Sequence, residues 1–158
     1  MTFSLTTAIL VPLNAHVRIF GDLDSEAGGF LLGPRDAAVA NVLALADGVG
    51  VERSRGVFQV SGKAIEQLFA WTDDHQLRVW ALVHSHPRGS SLSRTDELYG
   101  FRVAGFLSGV IPDFARPPLH PHEWGWWTFD AEEWRGAHPP DLVAGEALII
   151  SFDETGVR

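Results

Sequence analysis

The sequence predicts an α/β fold, a mixed, curved β-sheet flanked by helices and made as a single domain over residues 1–158. Three observations predict it. Short runs of β-branched and aromatic residues recur along the chain, and one stretch between them carries apolar residues at helical spacing. No repeat or low-complexity linker divides the 158 residues, a length that suits one domain with a sizeable core. A hydrophobic content of 46% excludes disorder.

Residues 3–11 (F-S-L-T-T-A-I-L-V) are rich in β-formers and predict a first strand, while Leu13 to Phe20 suits either a short helix or a second strand. Gly21 to Ser25 is turn chemistry. Glu26 then leads into a glycine-rich apolar strand, Gly28-Gly29-Phe30-Leu31-Leu32-Gly33, whose adjacent glycines let another backbone or a ligand approach closely. Ala37 to Leu45 reads as a strand with a turn at Asp47-Gly48, and Val57 to Val60 as a short one. Ser61 suits the N-cap of a helix reaching about His75, with Ala64, Ile65, Leu68 and Phe69 forming its core face. Val79 to Val83 is the next strand, a second helix covers 94–103, and Leu107 to Ile111 is a strand stopped by Pro112. Residues 112–123 are a proline-rich loop, 124–129 an aromatic strand and 146–152 the last strand.

The strand ending in His84-Ser85-His86-Pro87 carries the chemistry. On extended backbone, residues two apart point to one face, so both imidazoles converge on one point. Pro87 stops the ladder, 88–91 form a small polar loop, and Ser93-Arg94-Thr95-Asp96 opens the next helix. Two neutral nitrogens and one carboxylate oxygen on such a corner make a three-ligand zinc site, with a fourth position left for water. The competing reading of Ser93-x-x-Asp96 is a capping box that only satisfies free amides at the helix start. For Glu26 the alternative is an ordinary solvated turn carboxylate.

Composition narrows the function classes. A net charge of −8, from 12 basic and 20 acidic residues, disfavours a nucleic-acid partner, because affinity there depends on neutralising phosphates. No apolar run has the length of a membrane span, and the first residues lack the basic leader of a signal peptide, so a cytoplasmic location is expected. The absence of cysteine removes disulfides, thiolate ligands and a cysteine nucleophile together. His120, His122 and His138 could hold a second metal, but proline-rich loops commonly carry solvated histidines. Among Trp124, Trp126, Trp127 and Trp134, two are expected in the core, and Trp134 is expected to be the most exposed.

E-A-G-G-F-L-L-G at 26–33, H-S-H-P at 84–87 and S-R-T-D at 93–96 together resemble the JAB/MPN/Mov34 (JAMM) metallopeptidases, in particular short prokaryotic members. The resemblance covers most of the chain and is weakest over 112–145. It implies an MPN/JAB-like domain of cytidine-deaminase-like architecture. It further implies one Zn2+ held by His84, His86 and Asp96, with Glu26 as general base and Ser93 as donor to the oxyanion. The reaction it implies is peptide or isopeptide hydrolysis at the glycine-rich C-terminal tail of a ubiquitin-like or sulfur-carrier protein. Nine residues separate His86 from Asp96, one fewer than in the family pattern, so counting alone would fall on Glu97. Asp96 keeps the S-x-x-D register and places the deletion in the loop 88–92, where a one-residue change costs little. The alternatives are a non-catalytic scaffold, which typically lacks these ligands, and a zinc hydrolase for a small amide.

Overall fold

The computed structural model describes residues 2–158, Tyr99 through its backbone alone; Met1, where the predicted domain span begins, lies outside the described residues. In chain order the elements are β1 (Ser4–Thr6), α1 (Leu10–Gly21), β2 (Gly28–Pro34), β3 (Val39–Ala40), β4 (Val42–Ala46), β5 (Val51–Ser54), β6 (Val57–Val60), α2 (Gly62–Asp74) and β7 (Leu77–Ser85). They continue as α3 (Arg94–Tyr99), β8 (Leu107–Ile111), β9 (Gly125–Asp130), β10 (Glu133–Gly136), β11 (Asp141–Val143), β12 (Leu148–Asp153) and β13 (Gly156–Val157). The main sheet has eight strands in the order β10-β9-β8-β7-β2-β4-β12-β13. It is mixed, because β7 runs parallel to β8 and β4 parallel to β12, while the other pairs are antiparallel. The predicted α/β class with a mixed sheet and flanking helices is the observed one.

A core lies on each face of this sheet. On one face Leu10, Leu13 and Val17 of α1 pack with Leu31, Ala81, Val83 and Ile111. On the other, Ala64 and Leu68 of α2 pack with Phe30, Leu32, Ala44 and Phe152. Strand alternation explains the division, since successive side chains of a strand point to opposite faces. Truncating a fully buried side chain such as Leu13 or Leu68 to alanine would cost about 2–5 kcal/mol.

The N-terminal segment departs from the reading of 3–11 as a strand. Only Ser4–Thr6 is extended; Thr7–Ile9 is a 3-10 turn, and the chain then enters α1, which resolves Leu13 to Phe20 as helix. The apolar residues at 10, 13 and 17 bury one helical face, and this packing overrides the β-propensity of T-T-A-I-L-V. Pro12 is compatible because the amides of the first turn have no partner within the helix. Residues 37–45 form two strands, β3 and β4, instead of one. The sequence reading also passed over β5, β10, β11 and β13, which are short and partly or largely exposed.

Ser61 caps α2 as expected, its Oγ accepting from the amide of Ala64 at 3.2 Å. The buried face of α2 is Ala64, Leu68 and Thr72, whereas Phe69 is exposed. The second helix ends at Tyr99, short of the predicted 103. Its termination is physical: the carbonyl of Glu97 accepts from the Trp134 indole at 3.1 Å and from the Arg102 guanidinium at 3.0 and 3.2 Å, in place of a continuing helix amide. Gly100 follows with extended backbone, and a Cβ there would meet the Trp134 ring at 2.8 Å.

Candidate metal centre

The site is built at the C-terminal end of β7. His84 and His86 project to the α2 face of the sheet, in the same sense as Leu82, and both are buried. Parallel pairing with β8 fixes the strand end: the amide of His86 donates to Ile111 O at 2.9 Å, and its carbonyl accepts from Phe114 N at 3.0 Å. Below it, Gly28 of β2 sits opposite His84, and a Cβ on Gly28 would stand 2.2 Å from Val83 O. The glycine is therefore required by close approach of the two strands.

Asp96 arrives from the third residue of α3. The capping box is present in full, with the Asp96 amide donating to Ser93 Oγ at 3.1 Å and the Ser93 amide to Asp96 Oδ2 at 2.9 Å. The same carboxylate faces both imidazoles: Oδ1 lies 3.2 Å from His84 Nε2 and Oδ2 lies 3.0 Å from His86 Nε2. The two Nε2 atoms are 3.0 Å apart. The capping contacts and the approach to both imidazoles thus coexist on the Asp96 side chain, and Glu97 is exposed.

This triangle fits a cation better than it fits a hydrogen-bond network. Each ring nitrogen offers one in-plane site, either a proton or a lone pair. If both Nε2 atoms carry protons, both can donate to Asp96, but the two N–H groups then oppose each other across 3.0 Å. If one is deprotonated, its lone pair faces the carboxylate. A divalent ion at the centre turns all three edges favourable. Tetrahedral zinc with ligands at about 2.0–2.1 Å sets ligand–ligand edges near 3.3 Å, close to the spacing here.

Glu26 completes the group. It precedes β2, is 5% exposed, and its amide donates to Ser54 O at 2.9 Å. A carboxylate oxygen of Glu26 and ring nitrogens of His84 and His86 all lie within 4.8 Å of one another. That is within the span of one water making two hydrogen bonds, about 5.6 Å. The solvated-turn alternative for Glu26 does not hold, since the side chain is buried.

Electrostatics separate the two carboxylates. Burial pushes the Glu26 carboxyl up to about 7; the His86 charge opposes this and the Asp96 charge adds to it. Burial also works against ionised Asp96, yet hydrogen bonds from His84, His86 and the Ser93 amide outweigh it and hold that carboxyl well below the usual range. For His86, burial disfavours the charged ring, while the Asp96 hydrogen bond and the Glu26 charge prevail and raise its pKa. The Asp96 carboxyl is thus held charged while that of Glu26 is raised, so neighbouring environments push the two apart.

Sequence reasoning missed Ser85. Its Oγ accepts from the amide of Ala27 at 2.9 Å and donates to Ala27 O at 3.2 Å, while its own amide donates to Ala27 O at 2.8 Å. The residue between the two histidines therefore fixes the backbone next to Glu26. A signal was available in the alternation, since Ser85 is a polar residue that follows the buried Ala81 and Val83 on the face opposite the histidines. Elsewhere, His120 and His122 stand 4.9 Å apart by ring centroids, and both are exposed. The Nδ1 of His120 accepts from the His122 amide at 3.3 Å. His138 is also exposed and does not join them in a metal-binding cluster among the described residues. Trp124 and Trp126 are in the core, matching the expected two of four, but Trp134 is half-buried against α3 instead of exposed.

No family model matches the sequence. A probable metalloprotease of Sinorhizobium fredii, y4jG, is 35% identical over 71 residues, which is 44% of this chain and 44% of that protein, so the match spans less than half the length of either. Among solved structures, protein DSY2949 of Desulfitobacterium hafniense superposes with a TM-score of 0.60 at 21% identity, over 92% of this chain and 94% of that one. AF2198, a JAB1/MPN domain protein of Archaeoglobus fulgidus, gives a TM-score of 0.51 at 15% identity, over 90% and 98%. A protein of Salinibacter ruber gives 0.55 at 21% identity, over 90% and 92%. The fold is that of the JAB1/MPN domains. On that fold stand Glu26, H-S-H-P and S-R-T-D, the pattern that resembles the JAB/MPN/Mov34 metallopeptidases, and part of the chain is similar to a probable metalloprotease. Among the described residues no helix is long and apolar enough to cross a membrane.

Proposed function

We propose that the protein is a zinc-dependent peptidase whose metal is held by His84, His86 and Asp96 and whose general base is Glu26. The observation that carries this reading is the triangle of ligand atoms with 3.0–3.2 Å edges, with the Glu26 carboxylate within water-bridging reach of the histidines. Zinc bound there supplies a Lewis acid for the scissile carbonyl and lowers the pKa of water from about 15.7 toward roughly 7. Glu26 takes the proton of the attacking water and delivers it to the leaving amine, a role suited to a buried carboxylate within water-bridging reach of the histidines. Ser93 uses its oxygen lone pair on the Asp96 amide, so its hydroxyl proton is free to donate to the oxyanion forming on the carbonyl.

The family resemblance extends the proposal to the substrate: a peptide or isopeptide bond at the glycine-rich C-terminal tail of a ubiquitin-like or sulfur-carrier protein. Such a tail binds extended, and its small residues let the backbone lie close to the metal. The test is a carrier ending in Gly-Gly with a short C-terminal extension, incubated with zinc-loaded protein and followed by mass spectrometry. Cleavage after the glycines that chelator abolishes is the expected result. Glu26→Gln should retain zinc and lose at least about 10²-fold in rate; wild-type rates from this variant would remove Glu26 as the base.

A further inference from the structure

A pocket of about 650 Å³ opens directly beside the metal corner, and its walls include His84 and Asp96 themselves. Five aromatic rings, Phe30, Phe58, Phe101, Phe106 and Trp134, line it together with the aliphatic Val60, Ile65, Leu82 and Val103. These rings support one another. Phe30 meets Phe101 edge-on at 5.6 Å, Phe101 meets Phe106 at 5.1 Å, and Phe58 stacks on the His84 imidazole at 6.0 Å and 9°. The two strongest donors in the walls are turned away from a guest, because the Arg102 guanidinium and the Trp134 indole both donate to Glu97 O. The pocket therefore presents a predominantly apolar lining with a few polar side chains, Gln59, Thr95 and Ser108, in a volume typical of ligand sites. A glycine beside the cleaved bond would leave these walls in contact with water.

Resting on the peptidase reading above, we infer that this pocket is a specificity site that seats one bulky apolar side chain, of the phenylalanine, tryptophan or leucine type, carried by a residue flanking the cleaved bond. The other flank is then free to be the small residue of a glycine-rich tail. Continuity with His84 and Asp96 fixes the occupant as part of the substrate, since anything seated there lies against two ligands of the reacting centre.

Two panels of peptides test this, each varying one flank of a fixed bond through Gly, Ala, Asp, Leu, Phe and Trp, with zinc-loaded protein and kcat/KM as the readout. The large apolar residues should exceed glycine by about 100-fold at one flank. Equal or better cleavage of Gly or Asp at both flanks would overturn the inference. Val60→Trp, which narrows the pocket, should cut the preference for Phe over Ala by about 10-fold; Ile65→Trp serves the same purpose if the first variant does not fold. Binding is read separately on the metal-free protein, by the shift of the Trp134 indole resonance with N-acetylphenylalanine amide against N-acetylglycine amide. A selective shift with no cleavage in any panel would sink the peptidase reading and support the apolar pocket. Cleavage without preference and without a selective shift would do the reverse.

Discussion

The two halves of the metal corner are held by different physics. His84, His86 and Glu26 sit on or beside central strands, buried between two cores and tied by backbone ladders to β2 and β8. Asp96 and Ser93 sit on a six-residue helix whose outer face is exposed, held by a capping box at its start and by side-chain donors from Trp134 and Arg102 at its end. Damage to the backbone ties of the strand half should therefore appear first as lost stability. Damage to the helix half should appear first as lost rate or lost metal with the fold retained.

The largest expected effect sharpens this contrast on the helix side. Ser93→Ala should lower kcat by about 10²–10³-fold, the usual result of deleting one oxyanion donor. Its cost in stability should stay within about 0.5–2 kcal/mol, the range for a lost N-cap. Steady-state kinetics beside denaturant unfolding checks both, and an unchanged kcat would leave Ser93 as a cap alone. On the strand side, Ser85→Ala strands the buried amide of Ala27 and should cost about 1–3 kcal/mol in unfolding free energy. Unchanged stability would break the comparison.

A further effect is a pH slope. In the metal-free protein the Glu26 carboxyl titrates at about 7 against an ordinary 4.5, so between those values the folded state holds a proton that the unfolded chain releases. Stability then falls as pH rises from 4.5 to 7. Urea unfolding across that window should show a decline that Glu26→Gln flattens. Zinc should flatten it too, because a nearby cation favours the carboxylate. Elsewhere Asp153, which accepts from Thr155, Val49 and Arg158, has its carboxyl held low and contributes stability of the opposite sign, lost only in acid.

What could be read from the sequence follows the same division. Histidines two apart at the end of an apolar run fix their common face from strand geometry alone, and the S-x-x-D spacing fixes where Asp96 stands relative to its cap. The glycines of β2 announced the close approach under His84 that the structure contains. Long-range partners left no such local trace. The indole of Trp134 ends α3 from 37 residues away, and α1 is decided by what Leu10, Leu13 and Val17 bury, not by their neighbours in sequence. For Ser85 the alternation marks a polar side chain, but its partner, Ala27, lies 58 residues earlier in the chain and could not be read locally.

Elemental analysis of the purified protein, after dialysis against zinc and removal of the free ion, tests the metal corner most directly. One zinc per chain is expected for the wild type and for Glu26→Gln, and none for His84→Ala or His86→Ala. A wild-type chain that retains no zinc, or a His84→Ala chain that retains it in full, would contradict the assignment of these side chains as ligands.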